Sequence, residues 1–264
     1  MPVITLLTDF GNKDGFVGTM KGVIWGICPS AQIADISHEI PPQDIRAGAL
    51  ALMRAAPFFP AGTVHIAVVD PGVGTRRRSM AAQLGSQFYV GPDNGLFTPL
   101  IEAARAAGEE TRFVALENPL YWLPNISRTF HGRDIFAPAG AHLAAGVPLE
   151  ELGSAFTDPV LLPLSKPEQT AFGFTAHIAG IDAFGNCATD LPWSEVAGRS
   201  LLIKVKDRVI RGLSLSYGHH KPGELIALVD SEDYIEVAVV NGNAAALLSA
   251  QVGDAVEVLF TEPE

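Results

Sequence analysis

Side chains able to bind a ligand or transfer a proton occupy loop positions in this sequence. Asp9 ends the apolar run Val3–Thr8, and Asp70 ends a second apolar run and precedes a glycine-rich turn. Three consecutive arginines begin at Arg76, and His131 lies directly before a predicted helix. In open parallel sheets, ligands bind beyond the carboxyl ends of the strands. These residues are therefore candidates for a small-molecule site with acid–base chemistry.

Each candidate also has a purely structural interpretation. An aspartate at a strand end often caps a turn, and a run of arginines usually lies on a solvated loop. A metal-dependent phosphohydrolase using Asp9, Asp70, Asp93 and His131 is one alternative function. The histidines show no HxH, HxxxH or HExxH spacing, so we expect no metal ion.

Strand and helix patterns alternate over the first part of the chain. Helical periodicity appears from Phe16 to Ile27, after Pro42, before Gly108 and over Arg133–Gly146. Segments rich in β-branched and aromatic residues predict strands at Val3–Thr8, Gln32–Ile36, Thr63–Asp70, Met80–Leu84, Gln87–Val90 and Arg112–Leu116. This alternation favours an α/β fold with a largely parallel sheet flanked by helices.

The pattern changes after residue 157. A polar stretch carries Pro159, Pro163 and Pro167, and apolar residues largely alternate after Phe172. Predicted strands follow at Leu201–Val205, Leu225–Val229, Tyr234–Val240 and Ala255–Phe260, with a short apolar stretch at Ala244–Leu248. We therefore predict an α/β domain over residues 1–157, a linker over 158–171 and a smaller β-rich domain over 172–264.

Composition excludes several classes of partner. The net charge of −11 and the pI of about 5.0 disfavour nucleic acid and anionic membranes. No basic region precedes the first apolar run, and the most apolar helix candidate is interrupted by Arg54, so we expect a cytoplasmic protein without a membrane span. Cys28 and Cys187 lie far apart and are expected to be reduced thiols.

Five motifs taken together are far more specific than any single residue. In chain order they are Thr8-Asp9-Phe10-Gly11, Asp70-Pro71-Gly72-Val73-Gly74-Thr75, Gly91-Pro92-Asp93-Asn94-Gly95, Phe130-His131-Gly132-Arg133-Asp134 and Ile181-Asp182-Ala183-Phe184-Gly185-Asn186. This set resembles the S-adenosylmethionine hydroxide adenosyltransferase family, which is related to the fluorinases and chlorinases. The resemblance extends over essentially the whole chain.

The resemblance implies an N-terminal α/β domain, a C-terminal β-barrel-like domain and a homotrimer with ligand between neighbouring subunits. It implies S-adenosyl-L-methionine as substrate and no cofactor. By this resemblance Asp9 holds the ribose hydroxyls, while Asp70, Arg77 and His131 handle water. The other implied substrate-binding positions are Phe10, Asn94, Phe130, Asp182, Phe184, Asn186, Ser231, Asn243 and Ala244.

The implied reaction suits these residue types. A sulfonium leaves as a neutral thioether, so the reaction needs a placed nucleophile rather than a general acid. Asp70, held by Arg77 and working with His131, can orient water for attack on the ribose C5′ and accept its proton, which releases adenosine and methionine. Arg77 can instead stabilise hydroxide. The sequence leaves open whether Asp70 or His131 takes the proton, and only spacing favours Arg77 over Arg76 and Arg78.

Two related functions remain as alternatives. A halide-dependent adenosyltransferase requires a dehydrated halide pocket, and the charged Asp70 argues against one. A non-catalytic S-adenosylmethionine sensor would keep Asp9 and the C-terminal motifs, whereas Asp70, Arg77 and His131 would be incidental.

Overall fold

The structure is a computed structural model that describes residues 1–262. It divides into two compact units, residues 1–163 and residues 164–264. Within the described residues, no helix is both long enough and apolar enough to cross a membrane.

The first unit contains a seven-stranded sheet and four α-helices. Its strands are β1 Val3–Thr8, β2 Gln32–Ser37, β3 Val64–Val68, β4 Ser79–Leu84, β5 Gln87–Pro92, β6 Thr111–Ala115 and β7 Ala155–Phe156. Its helices are α1 Phe16–Ile27, α2 Ile45–Ala55, α3 Thr98–Ala106 and α4 Ala137–Ala144, the last preceded by a π-helical turn at Gly132–Phe136.

The strand order is β2-β1-β3-β5-β4-β6-β7. Strands β2, β1, β3 and β5 pair in parallel, whereas β5 with β4, β4 with β6 and β6 with β7 pair antiparallel. The two-residue turn Gly85-Ser86 joins β4 to β5, and a turn this short can join only antiparallel strands. The predicted α/β class is confirmed, with parallel pairing confined to one side of the sheet.

Helices cover both faces of this sheet. Along β1, Ile4 and Leu6 pack in the core cluster that contains residues of α1 and α4, while Leu7 packs in the cluster that contains residues of α2 and α3. Successive side chains of a strand point to opposite faces, so a strand between two helical layers is largely apolar on both faces. Coverage of both faces leaves the ends of the strands as the place for a site.

The second unit is an antiparallel, nearly closed barrel. Its elements are β8 Glu168–Thr170, β9 Gly173–Ile181, β10 Cys187–Pro192, β11 Ser200–Val205, β12 Arg208–Arg211, β13 Leu225–Val229, β14 Tyr234–Val239, helix α5 Ala244–Leu248 and β15 Ala255–Thr261. The strand order is β12-β11-β15-β9-β10-β14-β13, with β8 paired to β9. Ser214 bridges to Leu228 on β13. The predicted β-barrel-like domain is confirmed.

Candidate active site

A buried ion pair lies at the carboxyl end of β3. Arg77 Nε donates to Asp70 Oδ1 and Oδ2 at 2.9 and 3.0 Å, and Nη2 donates to Oδ2 as well. The side chains of Asp70 and Arg77 are only 5% and 10% exposed. A guanidinium that holds a carboxylate through several hydrogen bonds fixes the orientation of that carboxylate.

His131 completes the group. Arg77 Nη2 lies 3.0 Å from His131 Nδ1. A guanidinium only donates hydrogen bonds, so Nδ1 must accept, and the proton of the neutral ring then resides on Nε2. Burial and the charge of Arg77 lower the pKa of His131, while Asp70, Asp134 and the Ser127 backbone act in the opposite direction. The histidine is therefore neutral near neutral pH.

The three adjacent arginines have different surroundings. Arg76 is exposed, whereas Arg78 contacts Asp158 and Asp93. The Arg78 guanidinium also lies 4.0 Å from the centre of the Phe156 ring. Arg77 is thus the arginine that contacts Asp70.

Gly74 allows two loops of the site to approach each other. Its φ is +77°, and a Cβ at this position would collide with the backbone carbonyl of Arg128. The turn containing Gly74 leads to Arg77, and the segment containing Arg128 leads to His131. A glycine is required here for both its conformation and its size.

Asp9 lies at the carboxyl end of β1, beside an aromatic cluster. Its Oδ2 accepts a hydrogen bond of 2.8 Å from the backbone N–H of Gln43. The Phe10 and Phe130 rings meet edge to face, with centroids 5.8 Å apart, and Phe16 contacts both. The structure thus brings the predicted residues Phe10 and Phe130 together.

Both polar atoms of the Asn94 side-chain amide form hydrogen bonds with the backbone. Nδ2 donates to the Val69 carbonyl at 2.9 Å, and Oδ1 accepts from Leu96 N–H at 3.2 Å. These bonds support the residue immediately before Asp70.

The second unit holds a cavity of about 660 Å³. Four of the predicted binding residues line it, namely Asp182, Phe184, Asn186 and Ser231. Asn243 and Ala244 are not among the lining residues. Asn243 caps α5 by accepting from Ala246 N–H at 2.7 Å, and Ala244 is fully buried.

Tyr217 and Glu236 also line the cavity and were missed by the sequence analysis. The Tyr217 hydroxyl donates to Glu236 Oε1 at 2.6 Å and lies 3.4 Å from Asn186 Nδ2, which also donates to Asp182 Oδ2 at 3.0 Å. Burial, followed by the hydrogen bond to Glu236, raises the pKa of Tyr217, so the phenol stays protonated. The sequence did carry a signal for Glu236, because a charged residue stands there between apolar neighbours in the strand Tyr234–Val239.

The alternative metal site does not assemble. Among residues 1–262, no group of three or more His, Cys, Asp or Glu side chains is arranged to hold a metal ion. Asp9, Asp70, Asp93 and His131 form no such group.

The fold and site define a class of protein with an α/β unit and a β-barrel-like unit. The α/β unit carries an Asp–Arg–His group beyond its strands, and the β-barrel-like unit holds a cavity lined by both polar and apolar side chains. Residues 4–153 match the family model of the SAM hydroxide adenosyltransferase N-terminal domain, and residues 176–257 match that of the C-terminal domain. The chain belongs to the SAM hydroxide adenosyltransferase family, as its motifs predicted.

Individual relatives agree with this assignment. An (R)-S-adenosyl-L-methionine hydrolase of Salinispora tropica is 43% identical over 263 residues, covering 97% of each chain. The crystal structure of an uncharacterized conserved protein from Thermotoga maritima matches with a TM-score of 0.89 and 35% identity, covering 97% of this chain and 99% of that one. A fluorinase of an Actinoplanes species is 32% identical over 72% of each chain.

Proposed function

We propose that this chain hydrolyses S-adenosyl-L-methionine to adenosine and L-methionine. Water attacks the ribose C5′ in line with the C5′–S bond, and the bonding electrons leave with sulfur, which becomes a neutral thioether. The observation that carries this proposal is the Asp70–Arg77–His131 group, in which Arg77 lies within hydrogen-bonding distance of both Asp70 and His131.

The hydrogen bonds favour a different role for each side chain of this group. Nδ1 of His131 is engaged by Arg77, whereas the Asp70 carboxylate has further lone pairs. We assign the proton of the attacking water to Asp70 and the orientation of Arg77 to His131. Asp9 holds the ribose hydroxyls, since a carboxylate can accept two vicinal hydrogen bonds. Phe10 and Phe130 supply aromatic contacts to the substrate beside it.

The second unit contributes the adenine and methionine contacts in this proposal. Asp182, Phe184, Asn186 and Ser231 surround a cavity large enough for part of such a ligand. The reaction needs no cofactor because the sulfonium already supplies the leaving group. We further propose a cytoplasmic homotrimer in which neighbouring subunits share each ligand.

The decisive test is product analysis in ¹⁸O-water. Purified protein is incubated with S-adenosyl-L-methionine. The products are separated by chromatography, and their masses are measured by mass spectrometry. We expect adenosine labelled at its 5′-hydroxyl, together with unlabelled methionine. Unlabelled adenosine would disprove attack by water at C5′, turnover only with added halide would favour the adenosyltransferase alternative, and binding without products would favour the sensor.

The name of the Salinispora relative adds a stereochemical proposal. With the amino-acid centre specified as L, the prefix (R) describes the sulfonium, so we propose that this chain prefers the R epimer. Separated sulfonium epimers should be consumed at different rates, with R faster. Equal rates, or faster consumption of the S epimer, would contradict this preference while leaving the hydrolysis itself intact.

A further inference from the structure

His38 is a buried histidine that the proposed reaction does not use. It is 3% exposed, and its Nδ1 lies 2.9 Å from the hydroxyl of Thr8, which is fully buried. The Thr8 hydroxyl also accepts a hydrogen bond of 3.3 Å from the backbone N–H of Phe10. The histidine and threonine side chains thus brace the backbone on both sides of Asp9.

The backbone around His38 contacts the same loop. Its carbonyl accepts a 2.8 Å hydrogen bond from Gly11 N–H, two residues beyond Asp9. Further along, Gln43 N–H donates to the Asp9 carboxylate, and Gln43 adopts a φ of 66°. A non-glycine residue in the left-handed region persists only where surrounding contacts enforce it.

The other ring nitrogen of His38 lies beside a carboxylate. His38 Nε2 lies 3.1 Å from Asp35 Oδ1. Asp35 also binds Lys21 Nζ at 2.6 Å. The ring therefore has charged neighbours on one edge and the Thr8 hydroxyl on the other.

We propose that His38 is a positioning residue that orients Asp9, acting through the Thr8 hydroxyl, and thereby sets the selectivity of the site for a ribose carrying both hydroxyls. This inference rests on the proposed role of Asp9 in ribose binding. Thr8 and His38 are buried and do not touch the ligand; they fix the loop from which the carboxylate projects. A carboxylate displaced by a fraction of an ångström loses directional hydrogen bonds to the sugar but keeps most apolar contacts with the base.

The test compares the binding of adenosine and 2′-deoxyadenosine to the full-length protein by calorimetry. Hydrogen bonds to a charged group contribute enough that the wild-type protein should bind adenosine about tenfold or more tightly than the deoxynucleoside. Thr8→Val removes the hydroxyl at nearly constant shape, and Thr8→Ser retains it. His38→Ala removes the ring, whereas His38→Asn keeps a polar atom close to the position of Nδ1. Asp9→Ala marks the selectivity expected when the carboxylate is absent.

We expect Thr8→Val and His38→Ala to reduce the ratio of the two dissociation constants by about threefold or more, toward the Asp9→Ala value. Thr8→Ser and His38→Asn should retain most of the ratio. If both nucleosides bind equally more weakly, so that the ratio of their dissociation constants is unchanged, the inference is overturned and these residues have a structural role alone. If His38→Ala does not fold, Thr8→Val decides the matter. A wild-type protein without any selectivity would instead refute the ribose role of Asp9, and the inference with it.

Discussion

At the scale of single residues, the hydrogen bonds of Arg77 organise the candidate active site. Its guanidinium holds Asp70 through Nε and Nη2, contacts His131 through Nη2, and donates to Ser79 Oγ at 2.6 Å through Nη1. An arginine engaged on all sides has little freedom to rotate. The carboxylate and imidazole therefore have fixed positions before a substrate arrives, which lowers the cost of orienting water.

Replacing Asp70 or His131 with alanine should abolish most turnover while S-adenosyl-L-methionine still binds. Asp70 is proposed to take the proton of the attacking water and His131 to orient Arg77, so neither side chain holds the nucleoside. Loss of a general base typically costs about 10²–10⁴-fold in rate. Single-turnover rates and calorimetric dissociation constants measure the two effects separately. The double variant should be little worse than the worse single variant, as for residues that act as a unit. Near-normal rates in the single variants would show that these roles are wrong.

The pH dependence of turnover should report the protonation of His131. Only the neutral ring can accept a hydrogen bond from Arg77, and the pKa of His131 lies below its ordinary value. Activity should thus persist below about pH 6.5 and fall as the pH drops through the lowered pKa. A pH–rate profile of kcat measures the midpoint, and the residual activity of His131→Ala provides the control. A midpoint above 6.5, or an unchanged acidic limb in the variant, would contradict this assignment.

At the scale of elements, hydrogen bonds to a buried carboxylate stabilise the loop before α4. Asp134 is fully buried in the π-helical turn and accepts hydrogen bonds from Arg133 Nε at 2.6 Å and from Ser127 N–H at 2.7 Å. π-helical turns within or beside α-helices are frequent at functional sites. Here the turn and its buried carboxylate fix the segment that leads through Phe130 to His131.

Gly74→Ala should separate this loop from the turn that carries Arg77. The added Cβ collides with the Arg128 carbonyl, and the positive φ adds strain. We expect a loss of turnover of about tenfold or more, with a smaller effect on adenosine binding. Gly62→Ala is the matched control, since Gly62 has φ +80° and a Cβ added there would have no neighbouring atom within 4 Å. Equal effects of the two substitutions on turnover would show that strain alone, rather than loop separation, is responsible.

At the scale of the whole molecule, the predicted substrate-binding residues are divided between the two units. Asp9, Phe10 and Phe130 belong to the first unit, while Asp182 and Asn186 belong to the second. The chain also carries a net charge of −11, whereas the substrate's sulfonium is a cation. A negative protein attracts such a substrate over a distance set by the ionic strength.

The assembly predicted from the family resemblance is a homotrimer that shares its ligand sites between subunits. Activity per chain should then fall on dilution, as trimers dissociate, and should recover on concentration. Sedimentation velocity and initial rates measured at matched protein concentrations would test this relation. A protein that sediments as a monomer at the assay concentration, yet turns over normally, would refute the shared site.

Local sequence patterns were sufficient for the fold class and for many elements. The predicted strands Val3–Thr8 and Leu225–Val229 have the observed bounds, because a short apolar run rich in Val, Ile and Leu is a property of the segment itself. The motifs were likewise sufficient for the family. The short spacing between β4 and β5 already implied a hairpin, but the antiparallel half of the sheet also depends on pairings between distant strands.

Only the tertiary structure decided how the site is arranged. Neighbouring arginines point in different directions, so the choice of Arg77 as the partner of Asp70 required the packing of the surrounding loops. The inclusion of Tyr217 in the cavity wall depends on its contact with Glu236, nineteen residues away. The sequence by itself determined which chemical groups the chain possesses and which segments carry them. Contacts between segments far apart in the chain decided which groups meet, because side-chain direction and hydrogen bonding depend on those neighbours.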